Sequence, residues 1–161
     1  MITFQLEFQL ILKFLNVVLV LIYAAGSGLW VSTGDSWYRS LTAPSWQPPD
    51  WVFGTIWPYN FIVLGIVGWQ VITNLGSSWG RIWLSIFAVT IAFALTWANL
   101  FYVKHNIGGA SIALSLVAFF TVPLLAIAFK TNYKYGLLLT PYQLWVTTAS
   151  FLSFSYYKLN R

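Results

Sequence analysis

The side chains able to do acid–base, nucleophilic or metal chemistry are few in this sequence. It contains one histidine, His105, three acids, Glu7, Asp35 and Asp50, and no cysteine. The acids lie near the amino terminus or in a polar stretch between apolar runs, so they form no carboxylate pair, nucleophilic triad or metal cluster. We therefore expect no catalytic residues and no metal site, and a hydrolase or metalloenzyme is disfavoured.

His105 has two interpretations. An imidazole can ligate the metal of a haem or chlorophyll. His105 follows Lys104 at the end of an apolar run, however, where a solvated or headgroup-contacting side chain is more ordinary. We favour that second interpretation.

Aromatic side chains are the most abundant unusual feature, at 20% of the chain with ten Trp. About half fit an interfacial belt at headgroup level; these include Trp79, Trp83, Tyr133, Tyr156 and Tyr157. Three others, Trp57, Trp97 and Trp145, lie roughly 9, 9 and 18 Å below the ends of their predicted helices at 1.5 Å per residue. Buried indoles at such depths either fill a core or line a cavity.

The elements that position these rings are apolar runs. The chain of 161 residues is 59% hydrophobic and 7% charged, far from the composition of a soluble domain. Five runs without a charged residue are long enough to cross a hydrocarbon core of about 30 Å: 14–31, 51–73, 82–103, 106–129 and 135–157. We predict one all-α domain over residues 1–161, a five-transmembrane-helix bundle integral to a membrane.

The connections set the relative directions of the helices. Residues 32–50 form the long loop, and we call the membrane side that carries it the loop face; residues 74–81, 104–105 and 130–134 are predicted to be short turns. Lys and Arg are divided equally between the two sides, so their bias does not fix the orientation. The net charge of +5 is dispersed over the ends of the runs, which disfavours nucleic-acid binding.

Helices one and three are predicted to run toward the loop face, where helix two begins. That arrangement gathers aromatic side chains under the long loop, namely Trp30, Trp51, Phe53, Trp57, Trp97 and Phe101. A flat apolar ligand stacked on aromatic faces would fit there. From this pattern alone a ligand pocket and simple packing remain equal alternatives.

Two blocks of sequence resemble a known family. Residues 44–54 read PSWQPPDWVFG, preceded by Trp37 and followed by Trp57, and residues 141–146 read PYQLWV, followed by Ala149. These blocks resemble the signature of the TspO/MBR family, the tryptophan-rich sensory or translocator proteins.

The resemblance implies a five-helix bundle, commonly dimeric, in a lipid bilayer. Its pocket under the first long loop would bind porphyrins and, in several members, sterols or synthetic aromatic ligands. No cofactor is required, although a tetrapyrrole is a candidate bound group. Carried over by position, the pocket would use Trp51, Phe53, Trp97, Trp145 and Ala149, with Trp37 and Trp46 on the covering loop.

The sequence also departs from the family pattern at polar positions. Ala94 and Thr90 stand where members usually carry Asn and Gln, Phe61 replaces a Tyr, and Ser153 replaces an Asn. A pocket without these groups should discriminate less among ligands, because polar groups supply orientation.

Two functions therefore remain open. The first is a membrane binding protein or sensor for tetrapyrroles and other hydrophobic ligands. The second is an accessory subunit of a larger pigment or respiratory complex that keeps the fold with reduced pocket polarity. The only activity that the resemblance implies is light-dependent tetrapyrrole breakdown, and the spacing of residues does not indicate it.

The third predicted helix carries small residues at four-residue spacing, Ala88, Ala92 and Thr96, with Ser85 close to the same face. Small residues in this register let two backbones approach closely in lipid. The stripe predicts either a homodimer through helix three or an internal helix contact, and the family resemblance favours the dimer.

Overall fold

The computed structural model describes residues 2–161, with side chains from Gln5 onward. Its elements are α1 (Ile2–Trp30), the short α2 (Ser36–Ser40), α3 (Asp50–Ala98), a π-helical turn (Asn99–Val103), α4 (Ile107–Thr131) and α5 (Tyr133–Leu159). Helix α1 packs on α3, and α4 packs on both α3 and α5. The all-α architecture predicted from the sequence is confirmed.

Helix α3 contains two membrane crossings rather than one. Gly76 adopts a positive φ of 82° inside it, a left-handed conformation that glycine accepts without a steric cost. The chain reverses there, since a Cβ built on Gly80 would lie 2.8 Å from Cγ1 of Ile72. We call the two halves α3a (residues 50–75) and α3b (residues 77–98).

The turns on the face opposite the loop are shorter than the sequence predicted. The prediction of a loop at residues 74–81 was wrong, because the chain is helical on both sides of Gly76. Asn132 alone separates α4 from α5; its backbone is extended, and its side chain accepts a hydrogen bond from the Lys134 N–H. An Asn at this position satisfies one of the unpaired N–H groups of a helix start, so one residue suffices for the reversal.

The membrane-spanning character follows from length and composition. Three helical stretches within the described residues are long and apolar enough to cross a bilayer: Gln5–Trp30, Asp50–Val103 and Ile107–Thr131. The 54-residue stretch crosses twice, because it turns at Gly76. Helix α5 has 27 residues, enough for a fifth crossing at 1.5 Å per residue.

Helix α1 begins earlier than predicted. Neither Glu7 nor Lys13 interrupts it, and the helix extends back to Ile2 instead of starting at residue 14. The Lys13 ammonium lies over the ring of Trp69, 5.2 Å from its centroid. A long lysine stem can thus bring its charge to the edge of the bilayer without ending the helix.

A polar network joins three helices inside the bundle. The Asn16 amide group donates to the carbonyls of Leu64 and Gly65 at 3.4 and 3.1 Å. Its Oδ1 accepts a hydrogen bond of 2.9 Å from the Trp83 indole. Trp83 is fully buried, so its assignment to the interfacial belt was wrong. The indole N–H has a partner inside the bundle, which removes the need for a polar surface.

Candidate functional site

A cavity of about 340 Å³ lies at the loop face of the bundle, beneath residues 31–49, which we call the covering segment. Its walls come from α3a, the end of α3b with its π-helical turn, α5 and the covering segment. Its volume is within the range of small-molecule sites, and its lining is mainly apolar and aromatic, as such sites usually are.

Helix α3a contributes one stripe of residues to the cavity. Asp50, Phe53, Gly54 and Trp57 recur at the spacing of one helical face. Trp51 points about 110° away from this stripe at 100° per residue, and 71% of its side chain is exposed. The expected convergence of Trp51 with Trp145 is therefore absent, and Phe53 contacts Trp145 instead, edge to face with centroids 5.1 Å apart.

Helix α5 contributes a longer stripe. It starts with Trp145 and Ala149 and continues through three residues that we had not assigned to the site: Leu152, Ser153 and Tyr156. Extending the helical period of 3.6 residues beyond Ala149 would have found them. Tyr156 is buried in the bundle, so its assignment to the interfacial belt was wrong.

The third wall comes from the end of α3b. Trp97 lines the cavity, followed by Phe101 and Tyr102. Residues 99–103 form a π-helical turn, in which the Lys104 N–H donates to the Asn99 carbonyl at 2.9 Å. Such turns add a residue to the helical circuit. The ring of Trp97 packs against both following rings, with centroid distances of 6.2 and 5.9 Å.

Two indole N–H groups on cavity-lining residues have no partner within the described chain. Nε1 of Trp97 and Nε1 of Trp145 are both buried without a hydrogen bond. Buried donors in native proteins are nearly always paired. Trp97 and Trp145 thus contribute ring surface to the cavity, and an aromatic lining of this kind suits a flat ligand.

Hydrogen bonds hold the covering segment onto the ends of the helices. The Asn160 side chain accepts from the Thr42 N–H at 2.7 Å and donates to the Thr42 carbonyl at 3.0 Å. The Tyr156 hydroxyl donates to Oε1 of Gln47. Asp35 caps α2 by accepting from the Trp37 N–H at 3.0 Å. The roof of the cavity is thus a fixed element and not a free loop.

The cavity collects six of the ten residues that the sequence suggested: Phe53, Trp57, Trp97, Phe101, Trp145 and Ala149. The other four lie outside its lining. Trp37 packs on the outer side of Phe101 at 5.6 Å, and the side chains of Trp30, Trp46 and Trp51 are exposed. Depth along a helix axis pointed to the end of the bundle that holds the cavity, but depth does not indicate the direction in which a side chain points.

The positions that depart from the family pattern are divided between core and cavity. Ala94 and Thr90 are buried in the helix core and do not line the cavity. Phe61 packs edge to face on Tyr23, with centroids 5.2 Å apart. Ser153 does line the cavity, and its hydroxyl lies 3.2 Å from that of Ser111.

Comparison with known sequences identifies the family of this chain. The sequence profile described as the TspO/MBR family matches residues 15–158. The chain belongs to the TspO/MBR family. It is similar to Protein CrtK of Rhodobacter capsulatus, at 31% identity over 85% of this chain and 86% of that protein. It is 33% identical to the tryptophan-rich protein TspO of Chlorobaculum tepidum, over 84% and 87%.

More distant members of the TspO/MBR family are similar over a comparable share of the chain. The human translocator protein is 27% identical over 84% of this chain and 81% of its own length. The chain is therefore an integral, multi-pass membrane protein whose helices contact a lipid bilayer, and it falls in the general class of membrane sensor or binding proteins.

Proposed function

We propose that this TspO/MBR protein binds a tetrapyrrole, such as a porphyrin, haem or a chlorophyll-pathway compound, in the cavity beneath the covering segment. Other flat hydrophobic molecules, sterols among them, are ligands of the same kind. The observation that supports this most is the aromatic lining, in which Trp97 and Trp145 also carry indole N–H groups that have no partner within the described residues. The carbonyls and carboxylates of such ligands offer acceptors to these donors.

The lining residues would make different contributions to ligand binding. Phe53, Trp57 and Phe101 supply apolar ring surface, which favours ligands with an extended π face. Trp97 and Trp145 supply further ring surface, and each also carries an indole N–H with no partner within the described residues. Ala149 leaves room beside them. Trp30, Trp46 and Trp51 are exposed, so we assign them to contact with lipid headgroups.

A second function, as a subunit of a homodimer or of a larger membrane complex, is favoured by a separate observation. Ser85, Ala88, Ala92 and Thr96 are all exposed on α3b, so the stripe does not pack within its own bundle. The internal helix contact considered from the sequence is thereby removed. Close helix association through this face is compatible with ligand binding at the loop face.

Ligand binding is tested by titrating the purified protein with protoporphyrin IX and following Trp fluorescence. We expect saturable quenching with a Kd of about 1 µM or weaker, equivalent to about −8 kcal/mol. Trp145→Ala should weaken binding at least about tenfold, or about 1.4 kcal/mol. Trp51→Ala is the matched control, because it removes the same side chain from the loop-face end of the bundle but outside the cavity lining.

Two outcomes of this titration would overturn the proposal. If quenching is not saturable, or if Trp145→Ala and Trp51→Ala bind protoporphyrin equally well, the ligand is not in this cavity. Melting curves of both variants show whether either substitution has disturbed the bundle.

A further inference from the structure

A second cavity of about 390 Å³ adjoins the aromatic one on its outer side, within the covering segment. We call it the vestibule. Four residues line both spaces, Thr33, Tyr38, Asp50 and Tyr156, so the two are in contact. The lining of the vestibule is mainly polar, whereas that of the aromatic cavity is mainly apolar. A ligand that occupies both must be amphiphilic.

The vestibule is rich in hydrogen-bond donors. Arg39 lines it and does not line the aromatic cavity. Its guanidinium is always charged and has a planar fork of donors that matches a carboxylate. The Tyr156 hydroxyl donates a hydrogen bond to Oε1 of Gln47. The amide N–H groups of Gln47 are then additional donors for a ligand.

The acids near Arg39 are placed where helix starts stabilise them. Asp35 uses its carboxylate to cap α2, through the Trp37 N–H and the Ser36 hydroxyl. Asp50 is the first residue of α3, where the helix dipole favours a negative charge. Asp50 lines both spaces, so its negative charge opposes a carboxylate there and the positive charge of Arg39 is needed to offset it.

We propose that the vestibule is a carboxylate subsite in which Arg39 is the specificity-determining residue. The ligand class is a flat apolar ring body, held in the aromatic cavity, with an acidic side chain that extends into the vestibule. This inference rests on the proposed function, because it assigns the acidic edge of the ligand whose ring the aromatic cavity would hold. Neutral sterols lack such a group and leave the subsite unused.

The experiment compares protoporphyrin IX with its dimethyl ester, which keeps the ring and removes both negative charges. The wild-type protein should bind the acid at least about tenfold more tightly, because hydrogen bonds to a charged group are among the strongest. Arg39→Gln should lower affinity for the acid about tenfold and change affinity for the ester less than about twofold. Arg81→Gln is the matched control. It removes an exposed arginine that lies outside both cavities, and the resulting protein has the same net charge as Arg39→Gln.

Two further measurements test the role of charge in the vestibule. Asp50→Asn should raise the affinity for the acid by a larger factor than the affinity for the ester, because it removes a negative charge that repels only the acid; equal changes would count against the subsite. The titrations are repeated in neutral detergent with and without phosphatidylglycerol. If that lipid reduces binding of the acid in the wild type but not in Arg39→Gln, Arg39 recognises oxyanions from lipid headgroups as well as from the ligand.

The proposal is overturned if Arg39→Gln weakens acid and ester by the same factor, or weakens neither. Failure of the proposed function is a different result. In that case neither the acid nor the ester binds the wild type saturably, or both bind with no sensitivity to Trp145→Ala.

Discussion

The indole of Trp37 lies flat on the imidazole of His105, with ring centroids 3.9 Å apart and 9° between the planes. Trp37 belongs to α2 in the covering segment, and His105 belongs to the turn between the π-helical segment and α4. His105 holds a positive φ of 54°, which is uncommon for a residue with a side chain. The stack therefore connects the roof of the cavity to a strained turn at the end of α3b.

We expect His105→Asn to loosen the covering segment. Asn tolerates a left-handed backbone nearly as well as any residue other than glycine but has no ring, so the substitution removes the stack and keeps the turn. An aromatic pair contributes about 0.5–1.5 kcal/mol, so amide exchange in residues 31–43 should accelerate about 2- to 12-fold. Hydrogen–deuterium exchange measures this. Asn106→Ala, which removes a neighbouring helix cap, is the control that should leave this region unchanged.

The side chain of Asn160 makes the second attachment of the covering segment, through both backbone polar groups of Thr42. Asn160→Ala should increase the dissociation rate of a bound porphyrin by up to about thirtyfold, because two hydrogen bonds of about 1 kcal/mol each are lost. Stopped-flow displacement of the ligand measures the rate. Asn74→Ala removes an amide that bonds only within its own helix, and an equal effect in that variant would contradict the role of Asn160.

At Gly68 the side chains of α1 and α3b lie directly against the backbone of α3a. A Cβ on Gly68 would contact Oδ1 of Asn16 and lie 2.5 Å from Nε1 of Trp83. Gly68→Ala should lower the free energy of unfolding by about 1–3 kcal/mol. Gly65→Ala, where a Cβ meets open space, should be neutral or stabilising by up to about 1 kcal/mol. Thermal melting in detergent compares the two, and equal losses would show that the contact at Gly68 is not special.

Ala92 tests association through α3b. Because its side chain is exposed, we expect Ala92→Leu to reduce the oligomeric mass while melting temperature and porphyrin binding stay unchanged. Size-exclusion chromatography with light scattering reports the mass. Ala126→Leu adds the same side chain to an exposed position on α4 and should leave the mass as it is. A wild type that is already monomeric would contradict a homodimer.

The five crossings were predictable from the sequence. A long apolar run in a bilayer must satisfy its backbone hydrogen bonds within itself, and it does so by forming a helix. The turns were less predictable. Arg81 and Lys130 suggested water-exposed loops, yet both side chains project from helices, and Lys130 lies 4.9 Å from the ring centroid of Trp79. Long cationic side chains reach the interface from within a helix, so a charge marks depth and not a helix end.

The position of the candidate site was predictable from the sequence, but the prediction of its residues was incomplete. Counting residues along each helix placed Trp57, Trp97 and Trp145 under the long loop, where all three line the cavity. The vestibule was missed because it depends on the path of residues 33–47, a segment with little regular structure. Its key contacts are long-range, such as the hydrogen bond from Tyr156 to Gln47, and no local pattern in the sequence encodes them.

The reversals at Gly76 and Asn132 also bear on how the protein enters its membrane. Each leaves a single residue between consecutive crossings, too short to form a loop that waits in water while one helix inserts alone. We therefore expect α3a to enter with α3b, and α4 with α5, as hairpins already in contact. During synthesis the only crossing inserted without a partner would be α1, and Asn16 would stay unpaired in lipid until Trp83 and the carbonyl of Gly65 arrived together.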